Sequence, residues 1–140
     1  MKTNDFRYKE SLHLERKLRG DGGLLYVEKA YTVVFKLDGV DVTYTVPAGT
    51  WTDFASIPQF FQRYVSKLGP HIEAAVVHDR LCLDRGMIRD DLIVSSATVA
   101  GIFNEAMRAA GVSNMTREIM YRAVLWFGPK WSVRELRTAS

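Results

Sequence analysis

Tyr31-Thr32-Val33-Val34-Phe35-Lys36-Leu37-Asp38-Gly39-Val40-Asp41-Val42-Thr43-Tyr44-Thr45-Val46 is the stretch that decides the fold. Tyr31 to Leu37 and Val40 to Val46 are rich in the β-branched and aromatic residues that suit a pleated strand. Between them, Asp38-Gly39 matches a type I′ turn, whose two central residues both need positive φ. An antiparallel hairpin is predicted. Outward from it, Leu24 to Val27 has the same strand texture. Gly20-Asp21-Gly22-Gly23 reads as a turn that separates a polar N-terminal segment from the sheet, and Pro47-Ala48-Gly49 ends the hairpin's second strand.

The second half carries helical spacing. Pro70 suits a first helical turn, and Ala74, Ala75, His78, Leu81, Cys82 and Arg85 follow at intervals of three and four until Gly86. Ser95 or Ser96 can cap the next helix, with Val99, Ile102, Phe103, Ala106, Met107 and Ala110 as its apolar face and Gly111 at C′. A third helix starts near Ser113 or Asn114, carries Ile119, Met120, Ala123, Val124 and Trp126, and ends at Gly128-Pro129. Strands followed by helices predict an α+β domain: a small antiparallel sheet from the N-terminal half, packed against about three C-terminal helices.

With 140 residues, 47% of them hydrophobic and 25% charged, the chain has the size of a single domain spanning residues 1–140. It contains no apolar run long enough for a membrane span, and Met1-Lys2-Thr3-Asn4-Asp5 lacks the apolar stretch of a signal peptide, so a cytoplasmic protein is expected. Cys82 is the only cysteine, which excludes an intrachain disulfide and a thiolate-rich metal site. The net charge is +3. Its 19 basic residues do not form one block: Lys9, Arg16, Lys17 and Arg19 sit near the start, and Lys130, Arg134 and Arg137 at the end. Nucleic acid is not the expected partner, since binders concentrate charge on one face and carry a reading motif.

Two segments could carry chemistry. Gly49 to Pro58 is too polar for a strand and too apolar for a free loop. Structurally, Asp53 and Ser56 can bond the local backbone while Phe54 and Ile57 anchor the loop in the core. Chemically, Asp53 can act as a ligand or general base in a cleft, with Thr52 and Ser56 as substrate-binding groups. Ser56 lacks the elbow motif of a hydrolase nucleophile. The dyad His78-Asp79 is the second segment. Its members diverge by about 100° on a helix, so they read either as a half-buried core histidine beside a loop-bonding aspartate or as two metal ligands. Aromatic residues Phe60, Phe61 and Tyr64, and Trp126, Phe127 and Trp131, read as core or as a partner-binding patch.

Val46 to Pro58, Ala74 to Leu81, Ile102 to Val112 and Met120 to Val124, in that order, resemble the domain of unknown function family 1353, found largely in tailed bacteriophages and prophages. The resemblance spans about residues 31–128, leaving N- and C-terminal arms, and its most specific part is Thr52-Asp53-Phe54-Ala55-Ser56-Ile57-Pro58. It implies a phage origin and no particular activity. The family pattern places an Ala-Asp pair before the Ile-Phe of the second helix, whereas here Ala100 precedes Gly101. An acidic partner is thereby expected to be missing, with Asp84, Asp90 or Asp91 as substitutes.

Two functions are therefore expected as alternatives. The first is a virion component of the tail, baseplate or connector, structural or assembling, with a degenerate site at Asp53, His78 and Asp79 and basic arms that dock onto other phage proteins or further copies of the chain. It would be made in the host cytoplasm and incorporated in the particle. The second is a small hydrolase of cell-wall or phosphoester bonds in which Asp53, His78 and Asp79 hold a divalent metal such as zinc or manganese that activates water.

Overall fold

The structure is a computed structural model that describes residues 1–10, 14–16, 25–52 and 69–133. The predicted hairpin is its central feature. Strands β4 (Tyr31–Leu37) and β5 (Val40–Val46) pair antiparallel from Tyr31↔Val46 to Leu37↔Val40. The turn between them has Asp38 at φ 49° and Gly39 at φ 81°, as a type I′ turn requires. Along β4, Tyr31, Val33, Phe35 and Leu37 are buried while Thr32, Val34 and Lys36 are half-exposed, so one face of the sheet makes core.

A third strand joins this sheet from a segment whose polar sequence suggested none. β1 (Thr3–Tyr8) pairs antiparallel with β4, giving the order β1-β4-β5. Thr3 and Phe6 both face inward although three residues apart, which a strand of period two forbids. A bulge between Asn4 and Arg7, with Asp5 at φ 53°, supplies the extra residue that returns Phe6 to the core. There Phe6 stacks on Phe35 with ring centroids 5.6 Å apart. The segment expected to be an arm is in this part an integral strand.

Two smaller sheets follow. In one, β3 (Leu25–Val27) lies between β2 (Leu14–Arg16) and β6 (Trp51–Thr52); the other is the hairpin of β7 (Met87–Arg89) and β8 (Leu92–Ile93). Among the described residues the helices are α1 (Gly69–Leu83), α2 (Ser96–Ala109) and α3 (Asn114–Phe127), so the architecture is α+β as predicted. α2 packs against α1, α3 and β1. Ser95 is its cap, accepting from the Thr98 N–H at 3.2 Å. Ser96 instead exchanges hydrogen bonds with the backbone of Trp131, including Trp131 N–H to Ser96 Oγ at 3.0 Å. On α3, Met120, Ala123 and Val124 are buried, whereas Ile119 and Trp126 face solvent, which places Trp126 on the surface rather than in the core. No helix among the described residues is long and apolar enough to cross a membrane.

Three tyrosines, Tyr31 and Tyr44 buried and Tyr8 half-buried, fasten the β1-β4-β5 sheet to α2, to α1 and to the turn after α1. The Tyr8 hydroxyl donates to the Ala106 carbonyl on α2 at 2.9 Å, the Tyr31 hydroxyl to the Glu73 carbonyl on α1 at 3.3 Å, and the Tyr44 hydroxyl to Asp84 Oδ2 at 3.3 Å. Burial pushes all three phenols well above their usual pKa, so they remain donors.

Past α1 the chain turns back at Gly86, which has φ 78° and donates its N–H to the Leu81 carbonyl at 2.9 Å. A Cβ there would sit 2.0 Å from the Val94 carbonyl oxygen and 3.0 Å from Trp131 Nε1. Trp131 Nε1 itself donates to that carbonyl at 2.8 Å, so glycine, β-hairpin and C-terminal tryptophan close on one another. Gly39 has the same positive φ but open space around it. In urea unfolding, Gly39→Ala is therefore expected to cost about 1 kcal/mol, from backbone strain alone. Gly86→Ala adds a backbone collision and is expected to cost more than about 3 kcal/mol. Equal losses would contradict the packing around Gly86.

Candidate functional site

Helix α1 carries the dyad, and its composition explains where the dyad sits. Ala74, Ala75, Val76, Val77, His78 and Asp79 are six consecutive buried residues. Six residues sweep about 500° around a helix axis, so this part of α1 is enclosed on every side. A helix of this kind has no solvent face to offer.

His78 is 3% exposed and its ring centroid lies 4.7 Å from that of Phe103 on α2, the planes tilted by 41°. Cys82 Sγ, one turn further along α1, lies 3.7 Å from His78 Nε2. Desolvation pushes the His78 pKa down to about 4, so the imidazole is neutral at pH 7. Asp79, 5% exposed, is buried beside it about 100° further around the helix and is partnered. A buried carboxylate demands such engagement, because an unpaired charge in a core is costly.

The first signature segment approaches the same helix. Gly49 donates its N–H to the Val27 carbonyl at 2.8 Å, Val27 donates to the Thr50 carbonyl at 2.9 Å, and the Thr50 hydroxyl turns back to the Pro47 carbonyl at 2.7 Å. Trp51 lies against Tyr26 with centroids 5.0 Å apart. These ties fix β6 beside β3, and β6 in turn contacts α1, the helix that carries the dyad. Asp53 and Ser56 lie outside the described residues, as do Phe60, Phe61 and Tyr64.

The acids expected as substitutes are engaged elsewhere or exposed. Asp84 accepts from Arg80 Nε at 3.2 Å as well as from Tyr44, and Asp91 pairs with Arg89 at 2.7 Å. Asp90 is exposed. Among the described residues, no three His, Cys, Asp or Glu side chains come together as a metal site. Gly101 faces away from the dyad. It lies two residues, about 200° around α2, from Phe103, and a Cβ on it would have Thr3 Oγ1 as its neighbour, 3.8 Å away. That buried hydroxyl has no hydrogen-bond partner among the described residues. The glycine therefore lies beside β1, with room for a Cβ at ordinary contact distance, on the side of α2 away from the residue that touches His78.

A feature that the sequence did not separate is the outer face of α3. Met115, Ile119 and Trp126 are 77%, 49% and 57% exposed. Spacings of four and seven place them on one stripe. The signal was present in the sequence, but helical spacing alone does not say which of two apolar stripes meets the core.

An α+β domain built around an enclosed His-Asp helix is thus the class that fold and site define. The chain belongs to the family described as Protein of unknown function (DUF1353), whose profile matches residues 27–124. It is 34% identical over 90 residues to the uncharacterized protein y4jT of Sinorhizobium fredii, covering 63% of this chain and 25% of the relative. It is 32% identical over 84 residues to the uncharacterized protein y4iH of the same organism, covering 59% of this chain and 32% of that one. The similarity thus spans about a quarter to a third of the length of these relatives. No solved structure matches the chain.

Neutral burial of His78 has a consequence for stability. Its pKa is about 4 folded, against an ordinary value of 6.5. Between these values the unfolded chain binds the extra proton, so stability is complete above pH 6.5 and declines as pH falls toward 4. The decline is expected to approach about 3 kcal/mol. Glu73 acts in the opposite sense, since burial raises its pKa and favours the neutral acid. Urea unfolding of the wild type and His78→Gln across pH 4–7.5 isolates the histidine: the variant should lose the His78 part of the slope. Parallel pH profiles would show that the imidazole is not held neutral.

Proposed function

We propose that this chain is a bacteriophage-encoded structural or assembly component of the virion, acting in the tail, baseplate or connector, with a degenerate site at Asp53, His78 and Asp79. The observation that carries this proposal is the enclosure of the dyad. His78 and Asp79 are 3% and 5% exposed on a helix buried all round, which is the environment of a folding signature. A water-activating centre needs an open coordination position. The phage origin rests on the likeness of the signature segments to a family found largely in tailed phages and prophages. Apolar side chains turned outward on α3 favour a protein that meets other proteins.

The rival is the metal-dependent hydrolase, in which Asp53 joins His78 and Asp79 on zinc or manganese. One specific feature favours it: a neutral imidazole has the lone pair that a metal ligand must offer. Elemental analysis of the purified protein beside its Asp53→Ala and His78→Ala variants separates the two, together with mass spectrometry of purified particles and assembly intermediates of the encoding phage. The assembly role predicts no stoichiometric metal and detection of the chain in particles or intermediates. Stoichiometric zinc or manganese that disappears in both variants would overturn it in favour of the hydrolase, and absence of the chain from particles and intermediates would reject it outright.

A further inference from the structure

We infer that the exposed stripe of α3 is the contact face of a homodimer in which two copies of the helix pack antiparallel about a two-fold axis. Met115, Ile119, Arg122 and Trp126 follow one another at spacings of four, three and four, and all lie within about 60° of arc on the helix. This is the seam spacing by which one helix packs along another. It is also symmetric about its own midpoint, between residues 120 and 121. An isologous interface requires such self-complementarity.

A two-fold axis through that midpoint determines the pairings. At 1.5 Å per residue, Met115 and Trp126 each lie about 8 Å from the midpoint, on opposite sides. Each Met115 thus meets the Trp126 of the second copy, a thioether on an indole. Ile119 and Arg122 each lie about 2 Å from the midpoint, so each isoleucine is covered by the aliphatic stem of the other copy's arginine.

Charge supports a second copy as the occupant. Arg122 Nε binds Glu118 Oε1 of its own helix at 2.7 Å, and both side chains are more than half exposed at the edge of the stripe. Rotation about the two-fold keeps these edges on the same side. It brings the two pairs together in reversed order, each Arg122 within about 2 Å in height of the other copy's Glu118. The four charges alternate in sign around a ring. A parallel arrangement would instead carry the two pairs to opposite edges of the seam, where neither could bridge to the other copy.

Analytical ultracentrifugation of the full chain from low micromolar to millimolar concentration tests this. The mass should rise from 15.9 kDa toward twice that value. Ile119→Glu and Trp126→Glu should abolish the rise while leaving the circular dichroism unchanged, and also the thermal midpoint at concentrations where the wild type is monomeric, because both side chains are exposed in the monomer. Glu118→Arg alone should weaken association by about tenfold or more, and the exchange Glu118→Arg with Arg122→Glu should restore it. A mass of 15.9 kDa at every concentration overturns the proposal, including the case in which the stripe meets only a different protein. So does a dimer indifferent to Ile119→Glu and Trp126→Glu, and an inert Glu118→Arg rejects the antiparallel register. The inference does not depend on the virion role, since a monomer would leave the particle and metal measurements unaffected.

Discussion

Enclosing α1 on all sides is the constraint on which the remaining structure depends. Residues 74–79 expose almost nothing, so each direction around the helix must be filled by another element. α2 covers one side through Phe103 against His78. The sheet reaches it through the Tyr31 hydroxyl on the Glu73 carbonyl and the Tyr44 hydroxyl on Asp84, and β6 lies against it as well. The polar groups caught in this enclosure have to be neutral or partnered. The histidine is neutral, the aspartate is partnered, and the phenols remain protonated.

That environment weighs on function. A dyad of imidazole and carboxylate suggests catalysis when written as a sequence, yet both side chains belong to the packing around a central helix. Of the large apolar side chains exposed among the described residues, Met115, Ile119, Trp126 and Phe127 lie on α3, around the charged pair on which the proposed two-fold contact rests. The buried dyad and the exposed apolar seam are the two features that favour the proposed contact role over turnover.

Much of the fold was legible because local rules and tertiary packing agreed. Asp38-Gly39 specified a turn whose two positive φ values almost no other pair tolerates, and the strands on either side had one apolar face to bury. Ser95 and Gly111 bounded α2 for similarly local reasons. Where pairing depended on distant residues, legibility failed. β1 has a polar sequence and a bulge at Asp5 that destroys its alternation, and only β4 beside it and α2 beneath it make it a strand. The short β7-β8 hairpin is held by the contact of Val94 with Gly86 and Trp131, which are far apart in sequence.

The candidate site divides along the same line. The sequence by itself determined the residue types, the helix that carries His78 and Asp79, the α+β class and the family signature, because turns, caps and hydrophobic spacing act over a few neighbouring residues. Tertiary structure alone decided that the dyad is enclosed, that Gly101 lies next to Thr3 on the side of α2 away from the dyad, and that Ile119 and Trp126 face outward. Burial is a property of what surrounds a residue, and its surroundings come from distant parts of the chain that local periodicity does not encode.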